Sequence, residues 1–327
     1  VQCLGFQTNR VNSYHPPWWL RGGHLQTIYP ALLAAPRVRF VRERWDTPDG
    51  DFVDVDWAGN ADAARLLVLF HGLEGSSASH YARSLAARAA ALGWACAVPH
   101  FRGCSGEPNR LPRAYHSCDS AEIDWLLRGF ASRHPAARCC AAGVSLGGNA
   151  LLKWLGEQRD DAAAVIVRAA AVSAPLDVTA TGNALDRGLN RQIYARMFLG
   201  SLKPKTLEKL SRFPQLADPR AVRAAATLRA FDDAVTAPLH GFDGTDDYWA
   251  RASSKPWLPG IAIPTLVLNA RNDPFLPAAA LPGAQHVSRS VVLDFPAEGG
   301  HAGFVSGPFP GNQNWLADRI LEFLCAP

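Results

Sequence analysis

Six short apolar runs constrain this chain more than any other feature: "RLLVLF", "WACAVPH", "RCCAAGV", "AVIVRAAAVSA", "PTLVLNA" and "RSVVLDF", the first starting at Arg65. Runs of this length without polar alternation are buried on both faces, as strands of a parallel sheet are. Helical stretches separate them, at 80–92, 118–133 and 147–159, and another closes the chain at 312–325. Ahead of them, "RVRFVRERWDT" (37–47) and "DFVDVDWAG" (51–59) alternate apolar and polar around "PDG", the signature of a hairpin. A hairpin followed by repeated strand–helix units predicts an α/β fold, a mostly parallel twisted sheet with helices on both faces.

One interval breaks the rhythm. About ninety residues separate the sixth strand, ending near Ala174, from the strand at Pro264, where a crossover needs a few turns. They carry helical patterns at 186–200, 204–211 and 218–229. The spacing predicts a helical cap, 176–259, inserted after strand 6 above the carboxyl ends of the strands, where open α/β sheets bind ligands. The core is then 37–175 with 260–327. Residues 1–36, including "PPWWLRGGHLQTIYP", read as an irregular arm packed on it, with His24 and the paired tryptophans candidates to border a site.

Composition excludes several classes. Nearly half the residues are hydrophobic (48%), and the net charge is only +4 with arginines dispersed among acids and alanines. Phosphate-backbone binding needs clustered cations, so nucleic acid is not an expected partner. No apolar run reaches the roughly 20 residues of a membrane helix, because Arg168 interrupts the best one. Seven cysteines without a CxxC pair suggest reduced, buried thiols and hence the cytoplasm, although a removed leader before Val1 stays open. In "RCCAAGV" the adjacent Cys139 and Cys140 should face opposite sides of the sheet.

Gly143-Val144-Ser145-Leu146-Gly147 matches G-x-S-x-G at the end of a strand and the start of a helix. Glycines there permit a sharp turn that leaves no room for Cβ atoms and exposes the serine hydroxyl. A glycine-rich strand-to-helix turn also cradles phosphate, but neither GK[ST] nor G-x-G-x-x-G is present. A serine in an ordinary tight turn remains the bland alternative. A hydroxyl nucleophile needs a histidine base oriented by a carboxylate, in chain order Ser, acid, His for this architecture. Asp273 in "NARNDPF" and His301 in "EGGHAGF" follow consecutive strands and complete that order.

Asp177, after the preceding strand, is a rival acid. His100, His116, His240 and His286 are expected to be structural, and His80 to open a helix. An oxyanion needs two donors, the N–H of Leu146 and one from "HGLEGSSAS", best Leu73. His71 is expected to brace that loop, Glu74 to hydrogen-bond within it, and Ser76, Ser77 or Ser79 to cap the next helix. Phe198, Phe213, Phe231, Trp249 and Trp257 are candidates to line an acyl pocket, each with packing as the competing role. Asp232-Asp233 and Asp246-Asp247 are expected to cap helices or stay solvated. With no metal-ligand spacing in the sequence, neither metal nor other cofactor is expected.

The segments "GGHLQTIYP", "HGLEGSSASHYARSLA", "HFRGCSGEPNR", "GVSLGGNALLKWLG", "LRAFDDAVTAPLHGFDGTDDYWARASS", "NARNDPF" and "GGHAGFV" resemble the α/β-hydrolase superfamily, more narrowly its YheT-like branch, a group classed as esterases. They cover nearly the whole chain. The resemblance implies the α/β-hydrolase fold and hydrolysis of a small carboxylic ester of short to medium acyl chain, with Ser145, Asp273 and His301 as triad. Cys118 departs from the branch, which has glycine there. A thioesterase or amidase with the same triad, and a catalytically silent binding protein of the same fold, are the competing readings. Substrate identity and oligomeric state are left open.

Overall fold

The computed structural model describes residues 13–60 and 62–326, so the first twelve residues of the N-terminal arm lie outside the described residues. Its eight strands are β1 (Val41–Asp46), β2 (Phe52–Ala58), β3 (Arg65–Phe70), β4 (Ala95–Pro99), β5 (Arg138–Val144), β6 (Arg168–Val172), β7 (Thr265–Leu268) and β8 (Val291–Asp294). They form one sheet in the order β1-β2-β4-β3-β5-β6-β7-β8. The hairpin pairs antiparallel, β2 meets β4 antiparallel, and every other neighbour is parallel. Each apolar run of the sequence is thus a strand.

The main helices are α1 (Gly23–Leu32), α2 (His80–Ala91), α3 (Ser120–Arg133), α4 (Leu146–Gln158), α5 (Val178–Leu185), α6 (Arg196–Arg212), α7 (Thr245–Ala252) and α8 (Asn314–Cys325). Side-chain alternation along the strands divides the core in two. On β3, Leu66, Val68 and Phe70 join the layer containing α3 and α4, whereas Leu67 and Leu69 join the layer containing α2 and α8. Cys139 and Cys140 split in the same way. Cys96, Cys104, Cys118, Cys139 and Cys140 are free thiols, Cys118 being half-buried and the others buried.

Three readings of the sequence are corrected. The arm is not wholly irregular, since α1 occupies its second half and runs through Pro30, which is buried. The break expected near Pro204 is absent, for α6 continues through it. The carbonyl that loses the Pro204 N–H belongs to Gly200, an exposed residue on the solvent side of the helix. The helix expected at 218–229 is two, Pro219–Ala224 and Leu228–Phe231, because Asp186 accepts the main-chain N–H of Leu228 and Arg229 and starts a new helix there.

Between β6 and β7 the helices build their own small core around Tyr194, Leu199, Leu210, Val222 and Phe231, which also takes in Phe275 from the loop after β7. Phe275 joins this layer to the sheet two residues from Asp273.

Candidate active site

Ser145 stands between β5 and α4 with φ 53° and ψ −122°, a left-handed conformation that a non-glycine residue holds only under constraint. The close contacts are backbone to backbone. A Cβ on Gly143 would meet the Gly147 carbonyl oxygen at 2.5 Å, and one on Gly147 would meet the Phe70 carbonyl oxygen at 2.6 Å. The turn is therefore as tight as the glycine pattern requires, and Ser145 N–H donates to Val172 O at 2.8 Å.

His301 Nε2 lies 2.8 Å from Ser145 Oγ, and its Nδ1 lies 3.0 Å from Asp273 Oδ2. The carboxylate is fully buried and also accepts the Phe275 N–H at 2.8 Å. A carboxylate can only accept, so Nδ1–H donates to Asp273 and the neutral imidazole turns its Nε2 lone pair toward the Ser145 hydroxyl. The Phe275 ring lies parallel to the imidazole, centroids 3.9 Å apart.

The histidine loop is held by residues to which the sequence assigns no role at the site. Thr27 Oγ1, on α1, accepts His301 N–H at 2.8 Å, and Ser173 Oγ, just past β6, accepts Ala302 N–H at 2.9 Å. A Cβ on Gly300 or Gly303 would collide with the backbone of Gln26, so α1 and this loop touch main chain to main chain. The signal available was "GGHLQT", whose small residues and buried Gln26 belong to a packed surface.

The loop after β3 presents Leu73 across from the serine. Its neighbours are tied down: Gly72 N–H donates to Tyr81 Oη and Glu74 N–H to Tyr115 Oη, each at 2.9 Å. Among the described residues the Leu73 N–H between them has no partner. Leu146 opens α4, so its N–H has no acceptor within the helix. His71 does brace the loop, with Nδ1–H donating to Gly72 O and Nε2 accepting Phe101 N–H. Burial drives its pKa down from 6.5 to about 3, and it stays neutral.

Glu74 corrects an expectation. It bonds outside its loop, accepting the Tyr115 hydroxyl at 2.9 Å and pairing with Lys205 of α6 at 2.8 Å. The serines also differ: Ser79 sits at the helix start but accepts Ser76 N–H, and Ser77 donates to Asp56. Asp177 accepts Ala180 N–H as the cap of α5 and does not approach His301. His100 pairs with Asp56, His80 opens α2 against Gln313, and His286 accepts Gly283 N–H. The His116 and His240 rings are in contact, centroids 4.2 Å apart and planes tilted by 48°, with the His116 Nδ1 3.2 Å from the Cys118 sulfur. His24 bonds and stacks on Tyr194.

A cavity of about 510 Å³ connects Ser145, His301, Leu73 and Leu146 with the helices between β6 and β7. Of the expected aromatic lining, Phe198, Phe231 and Trp249 face it, together with Leu185, Leu202 and Phe275. Phe213 and Trp257 do not. Phe213 terminates α6 beneath the Arg212 guanidinium, and Trp257 covers Gly156 on the outer side of α4 under Lys153. Asp232 also departs from its expected role. It faces the cavity, accepts Trp249 Nε1–H and the Thr236 hydroxyl, and burial raises its pKa to about 6. Asp233 accepts Thr245 N–H at the start of α7, whereas Asp246 and Asp247 pair with Arg229 and Arg251. Among the described residues no group of His, Cys, Asp or Glu side chains could hold a metal ion.

A family model described as alpha/beta hydrolase fold matches residues 65–308. The chain is 40% identical over 314 residues to YheT of Escherichia coli (strain K12), whose name proposes an esterase, over 92% of this chain and 89% of that protein. It is 29% identical over 322 residues to phospholipase ABHD3 of Homo sapiens, over 95% of this chain and 78% of that one. Among solved structures it is similar to the Pyrococcus furiosus esterase PF2001, with TM-score 0.56, 14% identity, and coverage of 96% and 97% of the two chains. The Exiguobacterium antarcticum esterase EaEST gives TM-score 0.55 at 14% identity, covering 88% of this chain and 100% of that one. At such identity these two likenesses speak for the fold.

Proposed function

The chain belongs to the α/β-hydrolase family, in its YheT-like branch, and on that footing we propose that it hydrolyses small carboxylic esters by way of an acyl-enzyme on Ser145. The observation that carries the reading is the continuous hydrogen-bonded row Ser145 Oγ, His301 Nε2, His301 Nδ1, Asp273 Oδ2. His301 takes the hydroxyl proton as Ser145 attacks the ester carbonyl, and the N–H groups of Leu73 and Leu146 hold the oxyanion. Collapse of the tetrahedral intermediate expels the alkoxide, which His301 protonates. A water deprotonated by His301 then attacks the acyl-serine, and the acid leaves with Ser145 reprotonated. Asp273 keeps the imidazole in the tautomer the first step needs and stabilises the imidazolium that follows.

In this reading the segment 176–259 is a cap that selects the acyl group. The lining by Leu185, Phe198, Leu202 and Phe231 favours an apolar chain, and a volume of about 510 Å³ suits one of short to medium length. The name of the phospholipase relative supports acyl esters as the substrate class. The free cysteines support a reducing compartment, the cytoplasm. No helix among the described residues is long and apolar enough to cross a membrane.

The test is turnover of p-nitrophenyl esters and acyl thioesters of graded chain length, with Ser145→Ala as the blank. Ester turnover should rise with chain length to a limit and vanish in the blank, while its circular dichroism and melting match the parent. Turnover retained by Ser145→Ala sinks the mechanism, a preference for thioesters transfers it to a thioesterase, and failure of a fluorophosphonate probe to label Ser145 leaves a binding protein.

A further inference from the structure

The face of the molecule behind the histidine loop carries two exposed apolar rows. On α1, Leu25, Ile28 and Leu32 recur at helical spacing and are 53%, 37% and 78% exposed. On the helical stretch that leads into α6, Leu189, Ile193 and Met197 do the same at 62%, 39% and 57%. The two helical segments meet where His24 bonds and stacks on Tyr194, one residue from Leu25 in the first row and one from Ile193 in the second. Beyond the far edge of α1, Trp19 packs on both Tyr29 and Phe309, and Trp18 and Phe309 stand out at 82% and 76% exposed. Apolar side chains clustered in this way on a protein surface mark an interaction site.

Within the two segments that carry the rows, the charged side chains have one sign. The chain has no Asp or Glu between Ser13 and Arg42, and none between Arg187 and Leu207. Arg21, Arg187, Arg191 and Arg196 are exposed, and none pairs with a carboxylate among the described residues. The nearest acid in sequence, Asp186, is turned inward onto the N–H groups of Leu228 and Arg229. Apolar rows with aromatic projections and a rim of unpaired cations match an anionic lipid surface, which accepts hydrophobic side chains into its acyl boundary and cations at its headgroups. A second copy is disfavoured because a twofold contact would bring these arginines onto themselves.

We propose that the face formed by α1, the stretch 188–197 and the Trp18–Phe309 projections docks this protein on anionic lipid bilayers. None of these apolar side chains lines the catalytic cavity, so the docking stands independently of the ester chemistry.

The experiment is flotation with vesicles of phosphatidylcholine alone and of phosphatidylcholine mixed with phosphatidylglycerol. Parent protein should float with the anionic vesicles, poorly with the neutral ones, and less as salt is raised. The triple change Trp18→Ser, Leu32→Ser, Met197→Ser and, separately, the pair Arg187→Glu, Arg196→Glu should each cut partitioning by about tenfold or more. Unchanged melting and unchanged hydrolysis of soluble p-nitrophenyl acetate show that both variants remain folded. The proposal is overturned if the parent ignores anionic vesicles or if both variants float as it does. It is also overturned if sedimentation velocity shows a dimer that the triple change dissolves, which gives the face to a second copy.

Discussion

The Phe275 ring stacks on the His301 imidazole at 3.9 Å between centroids and 20° between planes, while the Phe275 N–H donates to the Asp273 carboxylate. One residue thus holds the acid through its backbone and the base through its ring. Phe275→Ala removes only the second hold. It should lower kcat for a short p-nitrophenyl ester about tenfold through a misplaced imidazole, and Phe275→Tyr, which keeps the ring plane, should recover most of it. An alanine variant with only KM altered would reduce Phe275 to a lining residue.

Asp273→Asn preserves size but presents either an amide N–H or a neutral oxygen to Nδ1. The imidazole then loses the partner that fixes its tautomer and stabilises its cation. Steady-state kinetics should show kcat reduced by about four orders of magnitude with KM little changed. A loss under tenfold would point to another acid.

The hydroxyls of Tyr81 and Tyr115 accept the N–H groups on either side of Leu73, so deleting one loosens the loop that carries this N–H. Tyr115→Phe should reduce kcat by about tenfold to a hundredfold, the cost of a displaced oxyanion donor. Lys205→Ala should cost less than about threefold, because its pairing with Glu74 involves a side chain 47% exposed. If both variants lose equally, α6 and not the tyrosine sets the loop.

His71 gives the fold a pH dependence of defined sign. Its folded pKa of about 3 lies below the ordinary 6.5, so the unfolded chain binds the proton first as pH falls. Stability is full above 6.5 and is lost toward 3, by roughly 1 kcal/mol per pH unit inside that window. Asp232, raised to about 6, acts oppositely and weakens the fold as pH rises from its ordinary 3.8 through 6. Urea unfolding of His71→Gln at several pH values isolates the first effect. The variant should be less stable at neutral pH, yet lose less than the parent on acidification; parallel pH profiles would contradict this.

Much of the architecture could be read in advance because its signals are local. Each parallel strand is a run of apolar residues with no outward face, and the glycines beside Ser145 are demanded by contacts within a few residues and with the adjoining strand. Asp273 and His301 are singled out by their place after strands, a topological rule needing no distances, and the structure brings both side chains into one row with Ser145. What the sequence hid depends on partners far along the chain. Thr27 is an unremarkable helix residue until it meets His301, and nothing local announces that Tyr81 and Tyr115 bracket Leu73. The errors had the same origin. Pro204 reads as a helix break, yet the helix continues with an exposed glycine at position 200, and Trp257 reads as a pocket aromatic although it packs on Gly156 of α4.

The bond from His301 N–H to Thr27 Oγ1 spans 274 residues, and the one from His301 Nε2 to Ser145 Oγ spans 156. A growing chain therefore completes the serine turn long before it owns a base, and the base loop seats only when the earliest helix closes on one of the last loops. On the chemistry proposed for the site, Ser145 is until then an ordinary alcohol, and reactivity is withheld from every partly folded or truncated form that lacks either end, so that the finished fold serves as its own proof of assembly.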